Sequence, residues 1–314
     1  MKKWLRLSLQ ILSVLLFVAI LWWAGPDVWR QLLDSSPQAL LLFLLVYGLA
    51  GVISATRFRL MTQSLTGKWC ASWRQFYYLN WTARALGLVL PRSVSGVGGK
   101  AVGLKAYGVS LKYGVWIVVV DNMFDVLLLA AMCLPSVLFF QGTLNAVGLF
   151  AGLGMVFVLL AAVIAWGTRT DRLWDILQRI PFLRSRLPQE VSGRLLPTTT
   201  QALQAWTWTA ALNGVLALAF FMMGRAVGLP LPLPLIVAAY PIVQLSLVAA
   251  VTPGGLGLFE LGWIGLLVLG GVAQSDAVAY SVAQRAYVVV AVLVWAAVSL
   301  LVSLTERWKR VDSE

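Results

Sequence analysis

The sequence predicts an all-α polytopic membrane protein, with about six full transmembrane helices and two Pro/Gly-broken re-entrant hairpins in one integral domain over residues 1–314. Three observations carry this prediction. Apolar runs repeatedly approach the roughly 20 residues that a bilayer-spanning helix needs. The composition, 60% hydrophobic against 11% charged, is that of a membrane chain and not of a soluble enzyme. Lysines and arginines gather in the short segments between the apolar runs, so the net charge of +12 is a topology signal and gives no reason to expect nucleic acid.

The first run, 7–24, follows a basic start, and no small-residue cleavage signal succeeds it at "LWWAGP", so it reads as a retained helix. Further spans are expected at 38–56, 114–140, 144–166, 205–224 and 278–304. Lys2, Lys3 and Arg6 precede the first span, and Arg57, Arg59, Lys68 and Arg74 follow the second. Lys105 and Lys112 precede the third; Arg169, Arg172, Arg179, Arg184, Arg186 and Arg194 follow the fourth; Arg307, Lys309 and Arg310 close the chain. The connections at 25–37 and 141–143 are poor in cations. The alternation places both termini in the cytoplasm, with the chain in a bacterial-type inner (plasma) membrane. The basic connector 168–205 reads either as a solvated link or as carrying an interfacial helix at 171–180.

Two apolar stretches do not fit as ordinary spans. Phe76 to Leu90 is about 22 Å of helix, short for a core of about 30 Å, and it breaks at "LPRSVSGVGGKAVG". Leu233 to Val272 is interrupted by "TPGGLG". The first reads as re-entrant. For the second, a re-entrant pair of half-helices and a tight pair of short full spans both remain open, because no Lys or Arg lies between residues 226 and 284. The order helix, helix, broken hairpin, helix then occurs twice, in halves of about 1–141 and 142–314. An odd number of crossings per half inverts the second copy, a pattern that points to a midplane site in transporters.

The candidate residues lie at the breaks and on the spans that follow them. Pro253, Gly254, Gly255 and Gly257 permit a sharp turn, after which a half-helix starts near Leu258 with Glu260 in its first turn. That carboxylate either caps its own half-helix or pairs with a cation. Pro91, Gly96 and Gly99 mark the earlier break, accompanied by Arg84, Arg92 and Lys100, whose charges suit a phosphate headgroup or snorkel toward the interface. Asp121 and Asp125, four apart in "VVVDNMFDVLLL", share a helix face and suit a proton or cation relay or pairing with nearby cations. Arg285 needs an anion, either one of these carboxylates or a lipid phosphate.

"PGGLGLFE", preceded by "LPRSVSGVGGKAVGLKAYGV" and "VVVDNMFDVLLL", resembles the lysylphosphatidylglycerol synthase transmembrane family, the flippase-like membrane half of the bacterial multiple peptide resistance factors. Pro253, Gly254, Gly255, Gly257 and Glu260 match its most specific element. Leu90 and Pro91 match the earlier element, where Arg92 stands in place of the usual glycine and Lys100 in place of an acid; Asp125 matches the next, whose arginine is replaced by Asn122. The soluble aminoacyl-transferring domain of the two-part members is missing from this sequence. The resemblance implies movement of a lipid between leaflets, either an aminoacylated phospholipid or a polyprenyl-linked one.

The alternative is a non-catalytic membrane subunit that positions a separate lipid-modifying enzyme or glycosyltransferase. The sequence thus admits three partners: a membrane phospholipid or polyprenyl-linked lipid, a lipid-modifying enzyme, and a second copy of the chain. With no histidine, and with Cys70 and Cys133 lacking metal or redox spacing, no catalytic residue, metal site or cofactor is expected.

Overall fold

The computed structural model describes residues 35–90, 93–169, 196–249 and 255–311. The expected span 7–24, the helix at 171–180, and Pro91, Arg92, Pro253 and Gly254 lie outside them. All regular structure among the described residues is helical: α1 (Pro37–Thr66), α2 (Trp73–Val89), a π-helical turn (Ser93–Gly99), α3 (Lys100–Ala106), α4 (Leu111–Phe140), α5 (Ala146–Arg169), α6 (Thr199–Ala226), α7 (Leu233–Ala249), α8 (Leu258–Leu269) and α9 (Gln274–Val311).

Local chemistry sets several of these boundaries. Pro37 opens α1 with its φ already fixed for a helix, and Gly67, at φ +74°, ends it. Ser72 with Gln75, and Thr198 with Gln201, form reciprocal capping boxes that start α2 and α6. α1, α4, α5, α6 and α9 are long and apolar enough to cross a membrane. They answer to the five expected spans after the first, with two corrections. α6 starts at Thr199 and not near 205, because the capping box lies there. α1 does not stop at 56: it continues through Arg57 and Arg59 to Thr66, so Arg57 is an interior residue of a helix and not a loop cation.

Side-chain contacts give the helix directions. Arg57 of α1 meets Asp121 and Asp125 of α4, and Tyr113 at the start of α4 donates to the Leu65 carbonyl, so α1 and α4 are antiparallel. α6 is antiparallel to α1 as well, since Ser36 meets Ala226 and Ser64 meets Gln201. Phe43 packs on Tyr287 and Trp295 donates to the Leu44 carbonyl, so α9 runs with α1 and against α4.

Both broken segments fold back on themselves. Beyond α2 the chain returns along it: Gly87 faces Ser95, Gly99 faces Leu86 and Ala83, and Gly103 faces Leu79. The break is therefore a wide π-helical turn. Gly96, Gly98 and Gly99 are not among the glycines with positive φ, and the backbone turn expected at this break is π-helical over Ser93–Gly99. α7 and α8 form the second hairpin, with Gly262 against Val243 and Gly270 against Leu235. Here the corner does need glycine, at Gly255 (φ +72°) and Gly257 (φ +82°). α2 leaves from the Thr66 end of α1, whereas α7 follows the end of α6 that lies beside Ser36. The two hairpins thus enter the helix array from opposite ends.

An aromatic seam seals α1, α2 and α9 together. Trp81 and Trp295 stack at 6.2 Å, and Tyr47 lies 6.0 Å from Trp81. α1 admits these indoles through Gly48, which faces Trp295, and Gly51, which faces Trp81; a Cβ at either position would overlap the ring. Replacing Gly51 by Val is expected to cost about 1–3 kcal/mol through overpacking. The same change at Gly154, which has open space around it, is expected to be neutral. Heating in detergent, followed by size-exclusion chromatography of the surviving monodisperse fraction, checks the difference.

Candidate functional site

Charged groups at bilayer depth need partners within the protein, and α1 carries one at its interior. Arg57 is 1% exposed. Its Nε donates to Asp121 Oδ1 at 3.0 Å, and its Nη2 to Asp121 Oδ2 at 3.2 Å and Asp125 Oδ2 at 2.7 Å. Its Nη1 donates to Asp125 Oδ1 at 2.7 Å and Thr209 Oγ1 at 2.9 Å. These five bonds use all the N–H donors of a guanidinium. The i, i+4 spacing of the aspartates puts both carboxylates on the face of α4 that meets this fork.

The network extends from there. Asn213 of α6 donates to Asp125 at 3.4 Å, and Tyr240 of α7 donates to Asn213 at 2.9 Å. On the other side Lys100, the first residue of α3, has its Nζ 3.9 Å from Asp121 Oδ2 and 4.6 Å from the centre of the Phe58 ring. Side chains of α1, α3, α4, α6 and α7 therefore meet in one polar seam.

The second cluster sits at the other hairpin. Glu260, wholly buried, accepts from the Gly257 backbone N–H at 2.7 Å and so satisfies one of the open donors at the start of α8. Its other oxygen accepts from Arg285 Nε at 2.5 Å and lies 2.5 Å from Nη2. The two readings of Glu260 are thus both realised, one on each oxygen. Ser281 of α9 also donates to the Glu260 carbonyl at 3.3 Å, fastening the same two helices.

At 1.5 Å per residue, Arg57 lies about 30 Å along α1 from Pro37. Arg285 lies two residues before Tyr287, whose ring packs on Phe43 near the Pro37 end. The two clusters are thus separated by roughly 20 Å along α1. Arg84 belongs to neither. It lies over the faces of Trp81 and Tyr47, 5.2 and 5.9 Å from the ring centres, at a level between them.

Of the residues singled out in the sequence, Asp121, Asp125 and Lys100 thus converge in one cluster, Glu260, Gly257 and Arg285 in the other, and Arg84 stands alone. Gly96 and Gly99 shape the π-helical turn beside α2. Arg57, Thr209, Asn213 and Tyr240 were not anticipated. The available signal was the aspartate pair itself: two carboxylates one turn apart in an apolar helix require a cation, and Arg57 is an arginine in the preceding apolar run with four further apolar residues before Gly67.

Arg57→Met is expected to destabilise the fold by about 3–5 kcal/mol, since it leaves buried Asp121 and half-buried Asp125 facing each other with only Lys100, 3.9 Å from Asp121, as a nearby cation. Adding Asp121→Asn and Asp125→Asn is expected to recover a large part of that loss. Thermal midpoints of the three forms in one detergent check the order; a single variant as stable as the unaltered chain would falsify the assignment of Arg57 as the counter-ion.

A search of curated proteins returned no match. The sequence does match the family described as the lysylphosphatidylglycerol synthase TM region, over residues 10–297, which include both hairpins and both charge clusters. The chain belongs to the lysylphosphatidylglycerol synthase transmembrane family.

Proposed function

We propose that the chain is a lipid flippase that moves a phospholipid or lipid-linked headgroup between the leaflets of a bacterial-type inner membrane. The observation that carries this reading is the pair of ion-paired hairpins at different depths. Each hairpin places a charged side chain just after its break, and each charge is held by the long helix that follows: Lys100 by Asp121, and Glu260 by Arg285. Both hairpins act as re-entrant elements, one from each side of an inverted repeat, with the Thr66 end of α1 and both chain termini in the cytoplasm.

The physics of exchange follows from this layout. A headgroup cannot cross hydrocarbon without replacing its hydration, and a buried ion pair can open only if a new partner substitutes for the old one. A lipid phosphate entering from the Thr66 side competes with Asp121 for Lys100; one entering from the Pro37 side competes with Glu260 for Arg285. While one pair is open, the other closes the path, and the acyl tails stay in lipid. On this reading the chain changes no covalent bond and needs no metal or cofactor.

Glu260→Gln keeps an acceptor for the Gly257 N–H but loses the charge that holds Arg285. Leaflet exchange of a labelled phospholipid in reconstituted vesicles is expected to fall about tenfold or more, the change that a loss of ~1.4 kcal/mol at the barrier produces. Exchange at the unaltered rate in a monodisperse variant would remove the pair from the mechanism and favour a subunit that positions a lipid-modifying enzyme.

A further inference from the structure

One guanidinium serves two carboxylates in the first cluster, and it does not serve them equally. Arg57 holds Asp125 through two bonds of 2.7 Å, whereas its bonds to Asp121 measure 3.0 and 3.2 Å. Both acids draw on the same fork, so a stronger hold on one leaves a weaker hold on the other. Asp121 also faces a second cation, since Lys100 Nζ lies 3.9 Å from its Oδ2. How firmly Lys100 is held therefore depends on how much of Asp121 the guanidinium claims, and that share is set at Asp125.

Asp125 is the less enclosed of the two acids, with 27% of its side chain exposed against none for Asp121. Its position is steadied from α6. The Asn213 Nδ2 donates to Asp125 Oδ1 at 3.4 Å and to the Thr209 carbonyl at 2.9 Å, while the Asn213 Oδ1 accepts from the Tyr240 hydroxyl at 2.9 Å. With both ends engaged, the carboxamide has one orientation. Asn213 and Tyr240 are themselves buried. Tyr240 belongs to α7, the first arm of the second hairpin, and immediately precedes Pro241, whose ring nitrogen cannot donate to the Val237 carbonyl. The side-chain bond thus fastens α7 where its own backbone ladder is interrupted.

We infer that Tyr240 and Asn213 are positioning residues for Lys100: acting through Asp125 and Arg57, the seating of the second hairpin sets how firmly the lysine of the first hairpin is held. This rests on the lipid-translocation reading, which gives Lys100 its task of receiving phosphate. Withdrawal of the Tyr240 hydroxyl loosens Asn213 and then Asp125, Arg57 shifts its bonding toward Asp121, and Lys100 loses its share of that carboxylate. The lysine is then open to an incoming anion. The influence is reciprocal, as a coupling between two equilibria must be: phosphate on Lys100 returns Asp121 to Arg57 and slackens the seat of α7. Glu260 and Arg285 lie on α8 and α9, outside this chain of bonds, so the second ion pair stays closed while α7 loosens.

The test is acylation of Lys100 by a small membrane-permeant amine reagent, mapped by mass spectrometry on the full chain in nanodiscs and divided by that of exposed Lys105 on the same helix. Tyr240→Phe and Asn213→Leu are each expected to raise this ratio about fivefold or more, and the double variant no further than the larger single effect, because the two residues act in series. Tyr280→Phe is the comparison for mere loosening of the bundle. It removes another buried hydroxyl, which donates to the Phe220 carbonyl at 3.0 Å, and is expected to move the ratio by less than about twofold. A ratio unchanged or lowered in Tyr240→Phe, an equal rise in Tyr280→Phe, or full additivity in the double variant overturns the inference. If the unaltered chain exchanges no labelled phospholipid while Tyr240→Phe still raises the Lys100 ratio, translocation is refuted and the positioning stands, so the two failures are distinguishable.

Discussion

The structure depends on the inability of hydrocarbon to solvate a charge, and Arg57 is where that constraint acts most strongly. A guanidinium cannot escape by losing its proton, so every N–H must find an acceptor within the protein. Asp121, Asp125 and Thr209 supply all of them, and they come from two helices distant in sequence from α1. Apolar packing in lipid is nearly indifferent to which helix lies beside which, because lipid tails are as apolar as leucine. The Arg57 fork is not indifferent: it has one geometry, and that geometry fixes α1, α4 and α6 in register. Asn213, Tyr240 and Lys100 then bring α7 and α3 to the same seam.

Glu260 applies the same constraint at the second hairpin. A half-helix that starts inside the membrane exposes backbone N–H groups that no lipid can satisfy. One carboxylate oxygen takes the Gly257 N–H and the other takes Arg285, so a single side chain ends one local deficit and ties α8 to α9. The glycine corner is part of the same device. Only residues free to adopt positive φ at 255 and 257 bring the backbone round so that the residue three positions later reaches back to it.

These features differed in how far the sequence disclosed them. The Glu260 cluster was legible because its signals are local: glycines beside a proline, a carboxylate three residues on, and a lone arginine in the next apolar run. Five spans were legible from length and hydropathy alone, since each presents more than a bilayer's thickness of apolar helix. Arg57 was not, because a hydropathy reading ends a span at its first cation, whereas the helix ends where Gly67 turns the backbone. Only the tertiary pairing with α4, 64 residues away, distinguishes an interior arginine from a loop arginine. The first break was legible as a backbone turn but not in its form: glycine also lets two helical segments lie close, and Gly99 and Gly103 serve that purpose against α2.

The two clusters also differ in sign, and this bears on what the proposed pathway accepts. In the first hairpin the cation lies on the broken element and the acid on the long helix; in the second the arrangement is reversed, with Glu260 on the broken element and Arg285 on the long helix. A phosphate that displaces an acid therefore meets a cation presented by a hairpin at one depth and by a fixed helix at the other. Arg84, on the broken element, lies at a level between them, over the rings of Trp81 and Tyr47. On the proposed pathway, cations at three depths would lower the cost of moving an anion through low dielectric, since its charge is compensated at each depth. On that reading the same series raises the barrier for a cation, so the proposed pathway favours an anionic headgroup.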